Sequence, residues 1–90
     1  MANLRVIKKD IVFLVNEVIS DCWVYLQLNP ECDQAPVEQI IADAVALGDQ
    51  TFDKVNHAPK ERKKAYFREA NKALLEGIDS LFERLSALKK

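Results

Sequence analysis

Proline placement constrains this chain more than any other feature. Pro30, Pro36 and Pro59 are its only prolines, and they leave three long proline-free stretches of 29, 22 and 31 residues. The only two glycines, Gly48 and Gly77, stand singly inside the second and third stretches. A β-rich fold needs a turn every 8–12 residues, and Gly and Pro supply most of them. Three long runs of Ala, Leu, Glu, Lys and Gln separated by proline-marked breaks read as three helices.

The periodicity agrees. Leu4, Ile7, Ile11, Leu14, Val18 and Tyr25 recur at steps of three and four, and Val15, Ile19, Cys22 and Leu26 widen that face. This predicts a helix over 4–28, capped by Asn3 and ended by Asn29-Pro30, since proline disfavours helical geometry in the residue before it. After the polar connection 29–35, Pro36 suits a first helical position, and a second helix over 36–56 presents Val37, Ile40, Ile41, Ala44, Val45, Gly48, Phe52 and Val55. Pro59 opens a third over 59–88, with Tyr66, Phe67, Ala70, Ala73, Leu74, Gly77, Ile78, Leu81, Leu85 and Leu88 on its core face. Short links make successive helices antiparallel neighbours. The expected fold is therefore an all-α antiparallel three-helix bundle, one domain over 1–90. In that hairpin Gly48 falls level with Phe67, so a missing side chain opposite a large ring is a packing device.

A 49% apolar composition is too rich for a disordered chain. No apolar h-region follows the N-terminus, and the longest strictly apolar run is Ile11–Val15, far short of the ~20 residues that span a bilayer. Cys22 and Cys32 do not make a disulfide framework, and free thiols fit a reducing compartment. These readings point to a cytoplasmic protein with no membrane partner.

Apolar residues exceed what one bundle hides. Val6, Phe13 and Val24 share a stripe on the back of the first helix, with Trp23 and Leu28 on its flanks. The third helix outlasts the second, so its last turns, with Leu81, Phe82, Leu85 and Leu88, overhang; Leu75 and Phe82 also lie off its core face. Either loop 29–35 folds over this end or a second subunit covers it. The second option makes Val6, Phe13, Val24, Leu75, Phe82, Leu85 and Leu88 the interface of a homodimer, or of a contact with another helical protein.

Chemistry-bearing motifs are scarce. There is no glycine-rich phosphate loop, no C-x-x-C and no H-E-x-x-H, so no cofactor, zinc site or small-molecule substrate is indicated. His57 is the only histidine, and catalytic residues are assigned nowhere. Asp49, Asp53 and His57 follow at i, i+4 and i+8, a spacing that can hold a divalent ion but reads better as a solvated acidic face. Residues 29–58 carry a net charge of −5 and residues 59–72 a net of +4. Lys60, Arg62, Lys63, Lys64 and Arg68 are therefore either nucleic-acid contacts or complements to acidic helix 2 across the hairpin. The reading from sequence is a non-catalytic interaction or structural module, with a nucleic-acid-contacting regulator as the alternative.

Overall fold

A computed structural model describes residues 4–88 of the chain; Asn3 and the side chain of Leu4 lie outside that description. Three helices occur: α1 over Leu4–Leu28, α2 over Ala35–Asn56 and α3 over Lys63–Leu88, the last preceded by a 3-10 turn at Lys60–Arg62. All three pairs of helices touch, α1 and α3 least. They pack into a rod with extents of 52 × 19 × 18 Å.

The ends follow local chemistry. Asn29 Nδ2 donates to the Tyr25 carbonyl at 2.9 Å and closes α1. Asp33 Oδ1 accepts from Ala35 N–H at 3.1 Å, satisfying one of the free donors at the start of α2. That helix starts one residue earlier than Pro36 predicts. Pro59 is not helical: its φ of −67° and ψ of 142° are extended, so the chain makes the 3-10 turn first and α3 proper begins at Lys63.

The core is one continuous stripe. Ile11, Val18 and Cys22 of α1, Val37, Ile40 and Ala44 of α2, and Leu74, Ile78 and Leu85 of α3 are all buried. Thr51 sits among them with its hydroxyl donating to the Leu47 carbonyl at 2.8 Å, which removes the cost of burying it. Val45 does not join the core: it is 45% exposed, and Ile41 and Phe52 are only half-buried. The predicted α2 face was too wide, because the α1-facing flank of that helix opens onto solvent.

Two corrections concern register. Gly48 faces α1, not Phe67: a Cβ there would sit 3.0 Å from Val15 Cγ2. The second glycine, Gly77, makes the close approach between α2 and α3, where a Cβ would lie 2.7 Å from Leu47 Cδ2. Nor does the end of α3 overhang. Leu81 and Leu85 are buried, Leu85 at 1% exposure, and Leu88 and Phe82 are half-buried against the core. The cover is α1, whose last turns run beside those of α3 in the same direction. Tyr25 Oη donates to the Leu88 carbonyl at 2.9 Å and ties the two ends. Tyr25→Phe is expected to lower stability by about 1 kcal/mol, the net worth of one such bond, in urea denaturation.

Both thiols are free. Cys22 is fully buried, and that burial, then the charge of Asp21, pushes its pKa up. A thiol reagent at mildly alkaline pH is expected to modify half-buried Cys32 first and Cys22 only when the chain unfolds, readable as one adduct against two by mass spectrometry.

Candidate interaction surface

Burial of one α1 face leaves the other as the most apolar exposed surface of the molecule. Among the described residues eight large hydrophobic side chains are exposed, and six of them are on α1: Val6, Val12, Phe13, Trp23, Val24 and Leu28. Phe13 is 61% exposed and Trp23 57%. At 100° per residue, five of the six fall within an arc of roughly 120°, Val12 and Trp23 at one edge and Phe13, Val6 and Val24 at the other, with Lys9, Asn16, Ser20 and Gln27 between them. Val45 of α2 borders this arc, lining with Val12, Ile19 and Phe52 a groove of about 210 Å³ along the α1·α2 seam.

The residues expected at an interface divide. Val6, Phe13 and Val24 are exposed together on the outer face of α1. Leu75 is exposed on α3, away from them in sequence and element. Phe82 and Leu88 are partly covered, and Leu85 is inside the chain. Val12 and Val45 were the missed members. Both lie beside core residues in sequence, and a helical pattern does not reveal where the neighbouring helix stops covering a flank.

The basic start of α3 is exposed at Lys60, Arg62, Lys63, Lys64 and Arg68. None of these forms a salt bridge with α2 among the described residues. The expected acid–base match across the hairpin is therefore not made there. The α2·α3 ion pair instead lies toward the other end, where Arg84 Nη1 donates to Asp43 Oδ2 at 2.7 Å. Bonds from Arg84 and Gln39 hold the Asp43 carboxyl below its ordinary pKa. At the basic end the α2·α3 contact is Lys54 Nζ, 5.8 Å from the Tyr66 ring centre, while Lys63 Nζ lies over Phe67 at the same distance.

No group of three potential metal ligands comes together among the described residues. Asp53 and His57 approach to 3.3 Å, while Asp49 lines the α1·α2 groove. A wider cleft of about 480 Å³ between the starts of α1 and α3 is lined by Ile7, Asp10, Lys64, Phe67 and Arg68, among others. By length and composition, Arg5–Leu28 is long and apolar enough to cross a membrane. Its Ile11, Val18 and Cys22 are nevertheless fully buried against the other two helices. Compared with known proteins, the chain matches no family model, no curated protein and no solved structure, so its function has to be sought in the chemistry of its own surface.

Proposed function

We propose that the chain is a non-catalytic interaction module that pairs with a second copy of itself through the outer face of α1. The observation that carries this reading is the concentration of six of the eight exposed large apolar residues on that one helix. Scattered surface hydrophobes need no explanation, but this many large ones gathered on a single helix mark a contact surface. Phe13 and Trp23 at about 60% exposure and three valines at about 47% offer roughly 400–500 Å² of apolar side chain. A standard interface buries about 800 Å² per partner, about 65% of it apolar in homodimers, so this face approaches that amount when both of its flanks are covered.

Sedimentation velocity across micromolar concentrations tests the reading. A concentration-dependent shift to twice the 10.2 kDa monomer mass supports it. A strict monomer overturns it, and a chain that instead partitions onto lipid vesicles assigns the stripe to a membrane surface. Contact with nucleic acid through Lys60, Arg62, Lys63, Lys64 and Arg68 is the second reading, favoured by their exposure and by their forming no ion pair among the described residues. It predicts a gel shift at low salt that weakens steeply as salt is raised.

A further inference from the structure

The rod is electrically polar along its length. Val15, Gly48 and Gly77 mark its waist, since Gly48 lies against Val15 and Gly77 against Leu47. On one side of that waist, residues 5–15 and 48–76 hold ten Lys and Arg against six Asp and Glu, a net of +4. On the other, residues 16–47 and 77–88 hold Arg84 alone against eight Asp and Glu, a net of −7. Lys89 and Lys90 lie outside the described residues; counted with the acidic end, they still leave it at −5.

Resting on the self-pairing reading, we infer that the second copy lies antiparallel along α1, the basic end of each rod beside the acidic end of the other. Two parallel copies would set like ends together, whereas antiparallel copies set unlike ends together twice. The exposed apolar residues run along the side of the rod, so the contact is lateral and closes on two subunits rather than growing head to tail. The α1 sequence has a matching register. A two-fold axis between Glu17 and Ser20 sets Phe13 of each copy opposite Val24 of the other, and Glu17 opposite Ser20 rather than opposite its own counterpart. The same register sets Arg5 and Lys9 beside the connection that carries Glu31 and Asp33. All four of these charged residues are exposed, and none is in an ion pair among the described residues. Across a helix–helix distance of about 10 Å, comparable to the Debye length in physiological salt, such charges choose orientation more than they add affinity.

Cross-linking in a Cys32→Ser background decides the orientation. Lys9→Cys and Gln27→Cys, oxidised with copper–phenanthroline, should each stay uncross-linked alone and form a covalent dimer when mixed, because like sites sit about 25–30 Å apart and unlike sites meet. Self-cross-linking of either variant alone would mean a parallel pair, overturning the antiparallel inference while leaving self-pairing intact. Dimers by sedimentation with no cross-link in any mixture, or a ladder of higher oligomers, would overturn it as well. A monomer throughout would remove the inference and the self-pairing reading together. Charge reversal supplies an independent check. Arg5→Glu/Lys9→Glu and Glu31→Lys/Asp33→Lys should each raise the dimer Kd at least about tenfold at low ionic strength, and a 1:1 mixture of the two should recover it. Equal weakening in the mixture would count against the register.

Discussion

Leu74→Ala is expected to cost the fold about 3 kcal/mol, within the 2–5 kcal/mol span of large-to-small core changes. Leu74 is 1% exposed in the middle of α3, with Ala70 and Ile78, one turn away on either side, also buried. Truncation removes its transfer energy and leaves a cavity that three long, mutually constrained helices cannot collapse. A 90-residue domain has a total stability of about 5–13 kcal/mol, so the loss is a large share. The midpoint of thermal unfolding should fall by roughly 10–25 °C. The internal control is the next residue. Leu75 is 45% exposed, and Leu75→Ala should stay within about 0.5 kcal/mol. Both should be measured at one protein concentration, because self-association adds to apparent stability. Equal losses at 74 and 75 would mean that α3 does not face the core as described.

Phe13→Glu is expected to separate folding from assembly. Its side chain is 61% exposed, so the helix content and unfolding midpoint of the separated chain should barely move. The new carboxylate lies one turn from Lys9 and one from Glu17, a near balance of attraction and repulsion along the helix. In the proposed pair the same change removes an aromatic anchor and buries a charge, and two-fold symmetry makes both happen twice. Loss of about 3–4 kcal/mol of association energy weakens the dimer by roughly 100- to 1000-fold in sedimentation. Leu75→Glu, on α3, should leave association unchanged. The opposite ranking of the two variants would move the interface from α1 to α3.

The three elements were legible because proline and periodicity act locally: α1 appears over the predicted residues, and α2 differs by a single residue at its start. The site was legible in part. Val6, Phe13 and Val24 could be placed on the back of α1 because a helix with a known core face has a determined opposite face. Lateral relations were not legible. Gly48 packs on Val15 rather than beside Phe67 because a helical pattern gives a face and not the identity of the neighbour across it. Leu85 is buried because α1 reaches as far along α3 as α3 itself extends, whereas comparing only α2 with α3 suggested an uncovered end. The basic run 60–68 and the acidic face of α2 looked complementary as segment totals, yet the α2·α3 ion pair joins Asp43 and Arg84 instead. Net charge over a segment carries no information on which side of a helix each charge projects.

The Tyr25–Leu88 bond joins positions 63 residues apart, linking the last turn of α1 to the last described residue of α3. The α1·α2 and α2·α3 hairpins each close over a short link, whereas this tie closes a loop of 63 residues. It is thus a clasp that neither hairpin can supply by itself, holding the far ends of α1 and α3 side by side.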